Sequence, residues 1–285
     1  MKITFLGIGF EATLMLSLLE QNIPARYLGI SSEALDLEGY QGDKIRFCMR
    51  PTVEAAALRI LPKIKKRTKD ADIVFLLTEI TGKAKEDIVC NIAEGLEEKT
   101  VVSIVWYPKQ KHGQRGISNT LERLGKCSAV VAIPQIALPK LLELVPEYAE
   151  HILFMYQLSY VKAEADTGKR ILSKGGLMHI IHDEFEIEYL NLNAEGVPWS
   201  LSGIGYNDDL DTVMKYGSAA LLHLAVSQGT DPAIVQYIIE YVYSHLGEEG
   251  ELNFSITVIP EPRDSVGIDL LVADTVTATE AENWF

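Results

Sequence analysis

The chain has 285 residues, of which 47% are hydrophobic, so it can bury one large core or two moderate ones. Its 26 lysines and arginines against 40 aspartates and glutamates give a formal net charge of −14, which excludes a nucleic-acid partner held by bulk electrostatics. No apolar run reaches the length of about 18 residues that a membrane span needs. Cys48, Cys90 and Cys127 form no CxxC pair, which favours reduced thiols in a cytoplasmic protein.

Strands and helices alternate through the first half of the chain. Apolar runs predict strands at 2–6, 25–30, 44–48, 72–77, 100–106 and 128–133. Amphipathic runs predict helices at 12–21, 53–69, 88–96 and 114–125. This order predicts an α/β fold with a mostly parallel, Rossmann-like sheet and helices on both faces. Such sheets bind ligands at the carboxyl ends of their strands.

Beyond Pro134 the pattern changes and predicts a smaller α+β second domain. Helical periodicity is expected over most of 138–181, and again at 210–226 and 231–246. Alternation predicts a strand at 184–192 and a hairpin made of 252–259 and 265–273. His179 and His182 have the i, i+3 spacing that could bind a transition metal on a helix, or they are ordinary polar residues near a helix end.

Two loops occupy places where a nucleotide-binding α/β protein carries glycines. The loop 78–87 (TEITGKAKED) has one glycine, Gly82, together with Lys83 and Lys85. The first loop holds Gly7 and Gly9 before a helix. It could open a dinucleotide fingerprint, but the third glycine of that motif is missing.

Several segments, taken in order, are similar to the FtsZ/tubulin superfamily. LGIGFEAT at 6–13 resembles its first nucleotide loop, and YLGISSEALDLEG at 27–39 resembles its second strand and the continuation. VVSIVWYPKQKHGQRG at 101–116 and VVAIPQ at 130–135 resemble the next strand and loop segments. YNDDLDTVMKYGSAALLHLAVSQG at 206–229 resembles the catalytic loop and the helix after it, and 253–276 resembles the closing strands. The chain is therefore identified as a divergent FtsZ/tubulin-like protein.

The resemblance implies a domain organisation and a set of site residues. Residues 1–160 would form the nucleotide-type domain, 161–194 a connecting segment, and 195–285 the second domain with a short tail. A bound GTP or GDP, with Mg²⁺ only if nucleotide binds, would meet Gly7, Gly9, Ser31, Gly82, Lys83 and Gln135. The catalytic carboxylates would be Asp209 and Asp208, supplied to the neighbouring subunit of a head-to-tail homo-oligomer. Helix capping is the alternative role for these two aspartates. Another FtsZ-like protein is a second possible partner.

Departures from the family pattern predict weak or absent GTP binding and hydrolysis. Side chains replace glycines that let the backbone approach phosphate. Carboxylates enter the same loops at Glu11, Glu79, Glu86 and Asp87, and they would repel a triphosphate. Two alternatives stay open. In the first, an enzyme or small-molecule-binding protein reuses the FtsZ-like cleft for a different ligand. In the second, Lys83 and Lys85 sustain a working GTPase with altered phosphate loops.

Overall fold

A computed structural model describes residues 1–107, 114–134, 136–161, 176–186, 217–246, 250–263 and 265–274. Within these ranges, residues 1–151 and 176–177 form one compact unit, and the described residues of 152–161 and 178–274 form a second. The boundaries expected near residues 160 and 194 adjoin stretches outside these ranges and stay predictions.

The first unit is built on a parallel sheet of six strands. They are β1 (Ile3–Ile8), β2 (Arg26–Ser31), β3 (Asp43–Arg46), β4 (Ile73–Glu79), β5 (Thr100–Tyr107) and β6 (Ala129–Pro134). Their order is β3-β2-β1-β4-β5-β6, and every pair of neighbours is parallel. All residues of β1 and β5 are buried, as expected for strands covered on both faces. The predicted α/β class is confirmed.

Five helices accompany these strands. They are α1 (Phe10–Asn22), α2 (Val53–Thr68), α3 (Lys83–Gly95), α4 (Gln114–Gly125) and α5 (Leu138–Val161), with a short 3₁₀ turn at Leu35–Leu37. The prediction that the third helix starts at residue 88 is wrong, because α3 begins five residues earlier. The backbone N–H groups of Lys85 and Glu86 donate to the carbonyl of Gly82, so the segment KAKED completes a helical turn without any apolar periodicity.

Alternation along the strands separates two apolar layers. On one face, the ring of Phe5 stacks between those of Tyr27 and Phe75, at centroid distances of 5.3 and 4.7 Å. On the other face, Leu6 and its neighbours in register pack with the buried residues of α2 and α3. The sheet is thereby fixed from both sides, and its strand ends are held in register.

The second unit contains residues 152–161 of α5, β7 from Met178 onward, β8, β9, β10 and the helix α6. Their bounds are β7 (Gly176–Glu186), β8 (Gly217–Ser227), α6 (Pro232–His245), β9 (Glu251–Ile259) and β10 (Ser265–Asp274). The strand order is β7-β10-β8-β9, in which β8 is antiparallel to β10 and parallel to β9. Asp231 caps α6 by accepting a hydrogen bond from the Ala233 N–H at 2.9 Å.

Three second-half predictions are wrong. The segment 217–227 is a strand instead of helix, because its nearly continuous apolar run suits a strand flanked by β10 and β9 and buried on both faces. Strands β9 and β10 do not pair as a hairpin, since β8 lies between them. Residues 176–186 are a strand and not helix, so the helical i, i+3 argument for His179 and His182 does not apply. Predicted elements within 187–216 lie outside the described residues.

Candidate functional site

The candidate site lies where strands β1, β2 and β4 end. In register, Ile8 of β1 faces Ile30 of β2 on one side and Thr78 of β4 on the other. The residues that follow these positions therefore meet at one edge of the sheet. The strand order reverses at β1, and such a switch point is where open α/β sheets form their ligand crevice.

Gly7 and Gly9 shape the first loop, and both have structural roles. A Cβ at Gly7 would lie 2.9 Å from the Ala12 carbonyl oxygen and from Leu16, so glycine allows α1 to pack closely on β1. Gly9 has φ +91°, in the left-handed region that favours glycine. Its N–H donates to the Ile30 carbonyl at 3.0 Å. The backbone donor of Gly9 is thus already engaged within the protein.

The first turn of α1 carries its own carboxylate. Glu11 follows the exposed Phe10, and its Oε2 accepts a hydrogen bond of 2.6 Å from the indole Nε1 of Trp106, at the end of β5. The Trp106 side chain is buried. A negative charge at a helix N-terminus is stabilised by the helix dipole and by the unpaired N–H groups there. Glu11 supplies that charge from the chain itself.

A lysine and a second carboxylate complete this cluster. Lys85 Nζ lies 3.5 Å from Glu79 Oε2, and it would lie 3.7 Å from a Cβ built on Gly9. Burial raises the pKa of Glu79, and Glu11 raises it further, whereas Lys85 lowers it. We call Glu11, Glu79, Lys85 and Trp106 the switch-point cluster. In this cluster the Lys85 cation of α3 pairs with the end of β4 and lies beside Gly9 of the first loop.

Of the four carboxylates expected in the two phosphate loops, Glu86 and Asp87 lie on a different surface. Asp87 Oδ1 lies 3.4 Å from Arg123 Nη1 of α4. Burial raises the pKa of Glu86, and a hydrogen bond with Thr120 of α4 lowers it. Both side chains thus interact with α4, which leaves Glu11 and Glu79 as the carboxylates at the switch point among those four.

The remaining predicted binding residues fall into three groups. Ser31 is buried, donates to Asp36 Oδ2 at 2.5 Å and accepts from the Glu33 N–H at 3.1 Å, so its hydroxyl orders the loop after β2. Gly82 and Lys83 are exposed at the start of α3, and no heavy atom lies within 4 Å of a Cβ built on Gly82. Gln135, Asp208 and Asp209 lie outside the described residues.

An open cleft of about 550 Å³ lies after β2 and β3, and the sequence did not point to it. The Arg59 guanidinium donates to the carbonyl oxygens of Cys48 and Arg50 and so fixes the loop that forms its wall. The guanidinium groups of Arg46 and Arg50 make no hydrogen bond or ion pair with the part of the chain that is described. We call this the arginine cleft. Its lining residues are Ser32, Glu33, Arg46, Phe47, Cys48, Met49 and Arg50.

Within the described ranges, no group of three His, Cys, Asp or Glu side chains converges as a metal site. None of the described helices is long and apolar enough to cross a membrane.

Solved structures with the same fold place the chain in a structural context. An empty FtsZ dimer from M. jannaschii matches with a TM-score of 0.64 and 19% identity, over 98% of this chain and 91% of that chain. A protofilament of CetZ2 from Haloferax volcanii with GTPγS bound matches with a TM-score of 0.68 and 12% identity, over 100% and 99%. CetZ from Methanosaeta thermophila strain DSM 6194 matches with a TM-score of 0.69 and 13% identity, over 99% and 90%. No protein-family model and no curated protein matches the chain.

These matches extend over nearly the whole chain, so the FtsZ/tubulin-like fold expected from the sequence is confirmed. Identities of 12 to 19% fit a divergent chain and speak for the fold alone.

Proposed function

We propose that the protein is a divergent FtsZ/tubulin-like protein that self-associates head to tail and binds and hydrolyses GTP weakly or not at all. The observation that carries this proposal is the switch-point cluster. Its Glu11 carboxylate lies in the first turn of α1 and is held by Trp106. That helix end is where a nucleotide phosphate would have to bind.

The residues around α1 do not fit a triphosphate. A phosphate needs free backbone N–H groups and a helix N-terminus without a competing anion. Here the Gly9 N–H is used by Ile30, and Glu11 lies in the first turn. Two like charges about 4 Å apart repel by about 4 kcal/mol at an effective dielectric near 20. Lys85 would offset part of this repulsion, but it is already paired with Glu79.

Solved structures with the same fold support the proposed self-association. Structures matched over nearly the whole chain include a dimer and a protofilament. A head-to-tail contact uses two different surfaces of one subunit, so it extends into a filament or closes into a ring. The partner in this proposal is a second copy of the chain or another FtsZ-like protein. Asp209 and Asp208 stay the proposed carboxylates offered to the neighbouring subunit.

A second candidate function is a binding protein or enzyme that uses the arginine cleft for a different ligand. Arg46 and Arg50 line this cleft without a partner in the described part of a chain of net charge −14. Unpaired guanidinium groups favour a carboxylate or phosphate group, and Phe47 in the same wall adds an apolar surface. This candidate therefore predicts a small anionic ligand.

A working GTPase with altered loops is the third candidate. It requires Lys83 and Lys85 to replace the lost backbone contacts. Under this candidate, Lys83→Ala would weaken GTP binding severalfold. An unchanged GTP affinity in that variant would remove its main support.

Sedimentation velocity with and without Mg-GTP tests the proposal. We expect the sedimentation coefficient to rise with protein concentration, with nearly the same profile in both conditions. A strictly monomeric protein at high concentration would contradict self-association. Assembly only in the presence of GTP would contradict the loss of nucleotide binding. The double variant Glu11→Gln, Glu79→Gln is a useful comparison, because it removes both charges and leaves the rest of the two loops unchanged.

A further inference from the structure

A polar chain of three side chains crosses the sheet of the second unit. His223 of β8 lies directly opposite Asp269 of β10, and its Nδ1 is 2.9 Å from Asp269 Oδ2. Its other ring nitrogen, Nε2, is 2.9 Å from Thr257 Oγ1 of β9. Because Asp269, His223 and Thr257 come from three adjacent strands, the sheet itself fixes their spacing.

The two hydrogen bonds fix the tautomer of the imidazole. An ionised carboxylate can only accept, so Asp269 Oδ2 accepts a hydrogen bond from the Nδ1–H of His223. In the neutral imidazole the lone pair is then on Nε2, which accepts a hydrogen bond from the Thr257 hydroxyl. A nucleophilic triad has this arrangement. A hydroxyl donates a hydrogen bond to one imidazole nitrogen, and a carboxylate orients the ring through the other nitrogen.

Burial differs along this chain of residues in the way such a triad needs. His223 is 3% exposed and Asp269 is 8% exposed, so both are withdrawn from bulk water. The ring of Phe154 stands edge-on to the imidazole, with centroids 5.1 Å apart at 82°. Thr257, in contrast, is exposed. The base is therefore shielded, while the residue that carries the hydroxyl lies at the surface.

Strand β9 lies at the edge of the described sheet. It stands at the end of the strand order, with β8 on one side and no other described strand on the other. Alternate backbone N–H groups of such an edge strand point away from the sheet and are unpaired. Backbone donors of this kind can stabilise the oxyanion of an acyl-transfer intermediate.

We propose that Thr257, His223 and Asp269 form an acyl-transfer site that acts on small carboxylic esters. The Thr257 hydroxyl oxygen attacks the ester carbonyl carbon while its proton passes to His223 Nε2. The ester C–O bond breaks, and the alcohol leaves with that proton, so a threonyl ester remains. Water, deprotonated by Nε2, then attacks the threonyl ester carbonyl carbon. The C–O bond to Thr257 breaks, the proton on Nε2 passes to the threonine oxygen, and the carboxylic acid is released. Asp269 is a positioning residue that holds the imidazole tautomer.

The test uses the full chain with p-nitrophenyl acetate as the probe. Release of p-nitrophenol and peptide mass spectrometry after rapid quenching measure acetylation at Thr257. We expect Thr257→Val to abolish this adduct, Thr257→Ser to retain it, and Asp269→Asn to slow acylation by at least about 100-fold without raising KM. Because Thr257 is exposed, the valine variant is expected to fold.

Ser255→Ala is the matched control, because Ser255 lies on β9 opposite His223 but makes no bond to it. It is expected to acetylate at the normal rate. An adduct at Thr257 that forms equally fast in Asp269→Asn would overturn the proposal. The proposal would also fail if the wild type carried no adduct at Thr257, or if acetylation were confined to lysines. Neither result bears on GTP binding or self-association.

Discussion

Glu79 is the residue whose ionisation is most directly linked to folding at the switch point. Burial, followed by the charge of Glu11, raises its pKa above the ordinary value of 4.5. A carboxyl with a raised folded-state pKa favours the folded state while protonated, and this contribution is lost as the pH rises through that pKa. Near neutral pH the ionised, half-buried carboxylate therefore lowers the free energy of unfolding.

Glu79→Gln is accordingly expected to be more resistant to urea than the wild type near neutral pH. The difference should shrink as the pH falls below the raised pKa of Glu79, because the wild-type carboxyl is then neutral as well. Urea unfolding across this pH range measures it, with the exposed Glu143→Gln as control. A Glu79→Gln variant less stable than the wild type at neutral pH would mean that the Lys85 ion pair outweighs burial.

The three cysteines differ in exposure, which leads to a second prediction at the residue scale. Burial raises the pKa of Cys90 to about 12 and that of Cys127 to about 11, whereas Cys48 is exposed beside the arginine cleft. Thiolate is the reactive form, so Cys48 alone should react quickly with a disulfide reagent in the native protein. Cys48→Ser should remove the fast phase, and denaturant should expose the other two thiols. Rapid reaction that survives in Cys48→Ser would contradict the burial of the others.

At the scale of elements, the contact between β1 and α1 depends on Gly7. A Cβ there would overlap the Ala12 carbonyl and Leu16. Gly7→Ala is therefore expected to lower the free energy of unfolding by about 1 to 3 kcal/mol, the usual cost of overpacking. Urea unfolding measures the change.

Gly82→Ala is the matched control for Gly7→Ala, because nothing lies within 4 Å of its Cβ position. Its φ of 162° is extended backbone that any residue adopts. The expected change is within about 1 kcal/mol in either direction. Equal losses of stability in the two variants would show that close packing at Gly7 is not the cause.

The first-half elements could be predicted because parallel strands covered on both faces leave continuous apolar runs between amphipathic helices. A continuous apolar run is also why the helix predicted at 210–226 was wrong. The run is rich in alanine and leucine and has no period that distinguishes a strand from a helix. The start of α3 was missed because Lys83–Asp87 is polar, although its residues form helix well. The hairpin prediction failed because a local turn cannot show that β8 inserts between β9 and β10.

The candidate site was predictable in position and not in detail. The order of strands and loops pointed to the carboxyl ends of β1, β2 and β4, which the structure brings together. The bond between Glu11 and Trp106 joins residues 95 positions apart, and no local pattern reports such a contact. The arginine cleft was missed for a similar reason, since Arg46 and Arg50 line one cleft only once the loop after β3 is folded.

For the whole molecule, the FtsZ/tubulin-like fold is shared with proteins solved as a dimer and as a protofilament. We expect assembly to be independent of nucleotide, because the fold is kept while carboxylates lie at the switch point. Self-association should then be governed by protein concentration. The charges of Glu11 and Glu79 should govern how strongly the switch point excludes anions.

Calorimetric titration of the purified, nucleotide-stripped protein with Mg-GTP, and then with Mg-GDP, tests the central claim most directly. We predict no measurable binding heat, or only weak binding that strengthens in Glu11→Gln, Glu79→Gln. Binding at micromolar concentration or tighter by the wild type would contradict the account, because it would mean that the switch-point loops still hold a triphosphate despite their carboxylates.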